Sequence, residues 1–221
     1  MKKVISVFLF LFPWPLRRWF LVALFGYKIH PTARIGFSIV CPVHLEMGEN
    51  SLIGSLTVCK GLSLLKLGDN AVIGNLNWIT GVLPGDKNSY ADDAGRRPEL
   101  IVETHAAITT RHWIDCTDAV HVGRFAILAG CGSQVLTHSI DLEKCRQSSR
   151  PVRIGEYCFV GSGSILLAGS ALPDYSVLAA GSVLNKPHAE PYFLYGGVPA
   201  RAVKPLSADL RYFQRETGHV S

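Results

Sequence analysis

Three features predict an all-β chain wound as a parallel β-helix. Short apolar units recur about every six residues after Tyr27, glycine or another small residue follows the leading aliphatic residue, and the period is neither 3.6 nor two. The units include IGFSIV (35–40), MGENSL (47–52), IGSLTV (53–58), LGDNAV (67–72), VGRFAI (122–127), LAGCGS (128–133), IGEYCF (154–159) and VGSGSI (160–165). A six-residue period turns the chain through a corner at each unit. Three short strands then close one triangular coil, with the aliphatic residue of each unit pointing to the axis. Glycine and asparagine relieve the corners, where unusual φ is needed. A β-sandwich would ask for strands of about five residues at roughly 8–12-residue spacing with polar loops between them, and these units follow one another too closely.

The first element, residues 1–27, is apolar. From Val4 to Phe25 its only charges are Arg17 and Arg18, and Lys2 and Lys3 precede it. It lacks a small-x-small cleavage site, which argues against a secretory signal. Crossing a bilayer would bury both arginines and two prolines, at high cost. The reading that fits is two short apolar pieces broken at Pro13 and Pro15, lying on or dipping into one leaflet. Arg17 and Arg18 would then sit at the headgroups, with Trp14 and Trp19 at the interface. The alternative is a helix that packs in an oligomer.

The coils are expected over 28–186, with two departures. Residues 80–103 leave the rhythm, carry Asp92, Asp93, Arg96 and Arg97, and read as an exposed excursion. Residues 137–151, THSIDLEKCRQSSRP, form the second departure and begin beside His138. The column ends near GSVLNKPHAE. Residues 187–221 then contain a Gly-Gly-x-Pro turn and a segment with Leu206, Leu210 and Phe213 at helical spacing, a short C-terminal helix expected to cover an open end or flank.

The chain has 221 residues, enough for one good core, and a formal net charge of +5 without a concentrated basic stripe, which argues against nucleic-acid binding. Its six cysteines stand singly, most of them among small or apolar neighbours. That pattern suits buried thiols in a reducing compartment, the cytoplasm or the cytoplasmic side of an inner or plasma membrane.

From THSIDLEKCRQSSRPVRIGEYCFVGSGSILLAGSALPDYSVLAAGSVLNKPHAEPYFLYGGVPARAVKPL (137–206), the chain resembles the left-handed β-helix, hexapeptide-repeat acyltransferases. Within them it is similar to the sugar, serine and xenobiotic O-acetyltransferase branch. The resemblance implies a homotrimer that uses acetyl-CoA as co-substrate and needs no metal, with His138 as general base in a cleft between two prisms. It implies that the pantetheine arm passes Gly161, Ser162, Gly163, Ala179, Ala180 and Gly181, and that Lys186 and Arg201 meet phosphates. Pro187–His188–Ala189–Glu190 departs from the family's usual residues after the lysine. The apolar N-terminus replaces the large helical domain of serine acetyltransferases, which points away from soluble serine and towards a saccharide, an envelope glycan precursor or a lipid-linked acceptor.

Hydroxyl-to-thioester transfer needs a base for the attacking oxygen and a site that holds both substrates. Histidine suits the base because its intrinsic pKa lies near neutrality. Asp141, a catalytic candidate together with His138, and Glu143 and Asp118 are candidates to orient its ring. Ser133, Ser139 or a backbone amide is a candidate oxyanion donor. Arg146 and Arg150 are candidate anion contacts, Tyr157 and Phe159 candidate cleft or interface rings, and Trp78 and Trp113 a candidate sugar face. Three other readings stand beside O-acylation. They are N-acetylation of an amino sugar, a non-catalytic membrane-associated scaffold, and a zinc hydrolase of the β-helical carbonic anhydrase kind with His105, His121 and His138 as ligands.

Overall fold

The computed structural model describes residues 9, 12–85, 90, 95–218 and 220. After the N-terminal helix Trp14–Phe25, the chain winds through seven coils, each giving one short parallel strand to each of three sheets in turn. The first sheet runs from Lys28–Ile29 to Ala171–Leu172, and the third from Ile39–Cys41 to Val183–Leu184. The second starts at Arg34–Ile35 and gains two strands beyond the last coil, Phe193–Gly196 and the antiparallel Arg201–Pro205. This is the expected left-handed β-helix.

The register explains the sequence rhythm. Ile53, Ile73, Ile108, Leu128, Val160 and Leu178 lie directly above one another in the second sheet, and all are buried. Matching columns, such as Cys59, Ile79, Ile114, Val135 and Leu166 in the third sheet, complete the dry axis. Each such side chain contributes about 1.5–3 kcal/mol by burial. A second, polar column runs inside the corner between the second and third sheets. Thr57, Asn77, His112, Ser133 and Ser164 are buried there, and their side chains bond backbone groups of adjacent coils.

The corner between the first and second sheets carries an aromatic ladder. His105, Phe125, Tyr157, Tyr175 and Tyr192 all take φ between 52° and 60°. Their rings stack at 4.6–5.2 Å, which offsets the cost of left-handed backbone in bulky residues. The C-terminal segment is clamped along this ladder. Arg215 lies 3.9 Å from the Tyr212 ring centroid and also over Phe125 and Tyr157, while Phe213 meets Tyr175 and Tyr192 edge-on. Leu206, Leu210 and Phe213 therefore do not share a helical face. The helix there is the single 3-10 turn Arg211–Gln214, which buries Phe213 and leaves Leu210 exposed.

The N-terminal helix packs on the first coil through Leu21, with Tyr27 following it into the core. Gly26 ends it in a left-handed C-cap. Arg17 is buried and donates to the carbonyls of Gly36 and Ser38, and Arg18 donates to Ile29 O at 2.8 Å. The headgroup placement expected for these arginines is thus corrected: the end of a β-helix presents carbonyls without strand partners, and the two guanidiniums take them. Among the described residues no helix is long and apolar enough to cross a membrane.

The first excursion is shorter than expected. Trp78–Thr80 and Glu99–Val102 are both regular strands of the coils, leaving 81–98 outside them. Its base is anchored rather than free, because Arg96 is buried and donates to the carbonyls of Val82, Leu83 and Thr117. Asp92 and Asp93 lie outside the described residues.

Candidate active site

The second departure is a β-hairpin, His138–Asp141 against Arg146–Ser149, projecting from the corner between the third and first sheets. Arg150 N–H donates to Thr137 O at 2.9 Å and closes its base. His138 stands at the root of the hairpin with its side chain 45% exposed. The ring lines a groove of about 390 Å³ with Ser139, Asp141, Ser148, Ser149, Arg150 and Asn185.

Behind the ring lies Asp115, only 5% exposed, at the end of the strand Trp113–Asp115 one coil below. His138 Nδ1 is 2.8 Å from Asp115 Oδ2, and the backbone N–H of His138 donates to the same oxygen at 3.1 Å. An ionised carboxylate only accepts, so Nδ1 carries the proton and Nε2 is left as the basic nitrogen. Thr137 N–H and Oγ1 also donate to Oδ2, while Thr117 N–H and Oγ1 donate to Oδ1. Burial alone would raise the Asp115 pKa, but the hydrogen bonds from His138, Thr117 and Thr137 outweigh it and hold the group below its ordinary value.

The residues expected to orient His138 are elsewhere. Asp141 accepts from the backbone N–H groups of Glu143 and Lys144, so it shapes the hairpin turn and lines the groove without partnering the ring. Asp118 accepts from Arg97 N–H and Ala119 N–H. Asp115 escaped the sequence reading because it lies 23 residues before His138. Its signal is the register: Asp115 sits directly beneath Leu136, two residues ahead of the histidine.

Ser133 is fully buried inside the corner between the second and third sheets, where its hydroxyl accepts from Ser164 N–H and its own N–H donates to His112 Nδ1 at 3.2 Å. Tyr157 and Phe159 serve the C-terminal clamp instead of a cleft: Tyr157 Oη donates to Arg215 O, and Phe159 packs edge-on against Tyr212. The three histidines considered as zinc ligands are dispersed. His105 stacks on Phe125, His121 pairs with Glu103 at 2.9 Å, and His138 faces the groove. Among the described residues no group of three or more metal-ligating side chains assembles.

A second groove, about 310 Å³, adjoins the first through the shared residue Asn185 and brings Lys186, His188 and Arg201 together. It forms because the turn after Gly196 folds back over the last coil, where Val183 N–H donates to Gly197 O and Ala200 N–H to Val183 O. Gly161, Ser162, Gly163, Ala179, Ala180 and Gly181 lie at the other edge of the third sheet, its corner with the second sheet. Gly161 is needed by the stacking itself, because a Cβ there would stand 2.6 Å from Ala180 N. Ser162, Gly163, Ala180 and Gly181 are exposed, and open space surrounds the Cβ positions of Gly163 and Gly181. They form a smooth ledge that an extended chain can approach.

A family model described as the hexapeptide repeat of succinyl-transferase matches residues 151–186. Residues 151–186 carry a hexapeptide repeat. This hexapeptide-repeat prism is similar to three solved structures: an acetyltransferase from Vibrio cholerae with hexapeptide repeats (TM-score 0.52, 21% identity, 64% of this chain and 73% of that one), AntD, an N-acyltransferase from Bacillus cereus in complex with dTDP-4-amino-4,6-dideoxyglucose and coenzyme A (0.62, 14%, 76% and 87%), and the polysialic acid O-acetyltransferase OatWY (0.57, 17%, 81% and 84%). At these identities the likeness concerns the fold. No curated protein matches the sequence.

Proposed function

We propose that this prism is an acyl-CoA-dependent O-acyltransferase that acetylates a hydroxyl of a saccharide or envelope glycan precursor. The observation that carries the reading is the pair His138 Nδ1–Asp115 Oδ2 at 2.8 Å, set at the mouth of a polar groove. Asp115 fixes the tautomer. Nε2 takes the acceptor proton as the hydroxyl oxygen attacks the thioester carbonyl; the tetrahedral intermediate then collapses, the C–S bond breaks, and the imidazolium returns the proton to the leaving CoA thiolate. The lining of hydroxyls from Ser139, Ser148 and Ser149 and the amide of Asn185, with Arg150 and Asp141, suits a polyhydroxylated acceptor.

The likeness to OatWY and AntD supports both the donor and the sugar class, and AntD holds coenzyme A. Lys186 and Arg201, gathered beside the His138 groove, suit the donor phosphates. The small-residue ledge suits the pantetheine arm, but it lies across the third sheet from His138. That separation favours a homotrimer whose protomers meet head to tail about the third sheet, so that the histidine corner of one faces the ledge of the next. The exposed Trp78 and Trp113 on that sheet fit such a contact.

Incubation with acetyl-CoA and candidate envelope saccharides, followed by mass spectrometry, tests the reading. An acetyl ester that disappears with His138→Ala, at about 10²–10⁴-fold lower rate, is the expected result. An unchanged rate in the folded variant would remove His138 as base. The AntD likeness also supports an amino sugar as acceptor; a hydroxylamine-stable amide product would select that second reading over the ester.

A further inference from the structure

We infer that the outward face of the N-terminal helix, continued by Phe37 and Leu52 on the first two coils, docks on an anionic lipid surface. Both arginines of the helix are turned inward onto backbone carbonyls, so what the helix shows outward is apolar: Leu16, Trp19, Val22 and Leu24 are exposed, Trp19 at 60%. The patch does not end with the helix. A groove of about 420 Å³, lined by Phe12, Trp14, Ile35, Phe37 and Leu52 with Arg34 among them, joins the helix to the flank of the prism. A contiguous apolar surface of this kind marks a place of contact.

Charge selects the occupant. The first acidic residue of the chain is Glu46, and before it stand six basic residues, Lys2, Lys3, Arg17, Arg18, Lys28 and Arg34. Among the described ones, Lys28 is paired with Glu46 at 2.9 Å, while Arg34 is exposed in the wall of the groove and Arg17 and Arg18 keep their charge beneath the helix, bonded only to neutral carbonyls. A second copy of the chain would bring the same basic excess face to face and be repelled. An anionic bilayer neutralises it while taking up the apolar face, the two contributions that hold an amphipathic surface element in an interface. The helix is too short to span, and a tryptophan at the centre of the exposed face suits the headgroup boundary.

The test uses the full chain in co-sedimentation with vesicles of phosphatidylglycerol and phosphatidylcholine, or of phosphatidylcholine alone, and needs no acyl donor, so its outcome is separate from that of the acyl-transfer reading. The chain is expected to sediment with the anionic vesicles and to be released by salt. Leu16→Ser/Trp19→Ser, which alters only exposed side chains, should weaken partition about tenfold or more with an unchanged melting temperature. Quenching of Trp19 fluorescence by brominated lipid, assigned by its loss in Trp19→Phe, reads the same contact without relying on the double variant. Failure to sediment with anionic vesicles, wild-type partition by the double variant, or an effect of that variant on oligomer mass in place of lipid binding would each overturn the inference.

Discussion

Asp115 accepts six hydrogen bonds and stays an anion in a nearly closed site, which makes it the residue on which the geometry of His138 depends. Asp115→Asn exchanges an oxygen that accepts from Nδ1 for an amide that donates in part, and the ring loses its fixed tautomer. We expect kcat to fall on the order of 10²-fold with KM for acetyl-CoA little changed, measured by steady-state kinetics. His112, which the sequence reading passed over, gives a separate pH signal. Burial pushes its pKa down to about 4, against hydrogen bonding with backbone groups of Ser133 and Leu128. The unfolded chain keeps the ordinary value near 6.5, so between the two the unfolded state binds the extra proton and stability falls as pH drops. The loss reaches ~3 kcal/mol at and below pH 4 and is absent above pH 6.5. His112→Asn, with Asn77 as its precedent one coil below, should flatten that slope in urea midpoints measured across the window. Asp115 acts below this range: its depressed pKa gives stability present above the ordinary carboxylate value and lost as pH falls through the native one.

The elements show why some of this was legible and some was not. Each inward aliphatic residue repeats a local rule, so the coils, the ends of the column near residues 28 and 186, and the departure at His138 can be read from short windows. The helix 14–25 could not be placed that way. Its apolar periodicity is compatible with a bilayer, but the direction of Arg17 is decided by two carbonyls on the first coil, 19 and 21 residues away. The same holds for the Asp115–His138 pair, since neighbours across coils depend on how many residues each coil takes, and excursions change that number. Arg17→Met keeps much of the apolar stem and removes both donors. It should lower unfolding stability by about 1–3 kcal/mol, because the Ser38 carbonyl loses its guanidinium donor and Gly36 O keeps only Ser38 N–H, read as a reduced urea midpoint, while the more distant His138 groove retains its activity.

At the scale of the whole molecule, the third sheet divides the proposed site. His138 and the Lys186–Arg201 groove lie towards one of its edges, and the ledge of Gly163, Ala180 and Gly181 lies at the other. A single prism presents these edges in different directions; the proposed closed ring of prisms would bring each histidine corner to a neighbour's ledge. Two inactive variants can therefore repair one another. His138→Ala lacks the base but keeps the ledge, and Ala180→Trp obstructs the ledge but keeps the base, its exposed corner leaving the coils intact. In a mixed trimer of either composition an intact histidine corner meets an intact ledge at one junction of the ring, about one third of the junctions. Co-expression with two affinity tags, purification of mixed trimers and assay with acetyl-CoA should recover about that fraction of wild-type turnover. Mixed trimers as inactive as either parent would mean that base and ledge serve the same chain, and the head-to-tail arrangement about the third sheet would have to be abandoned.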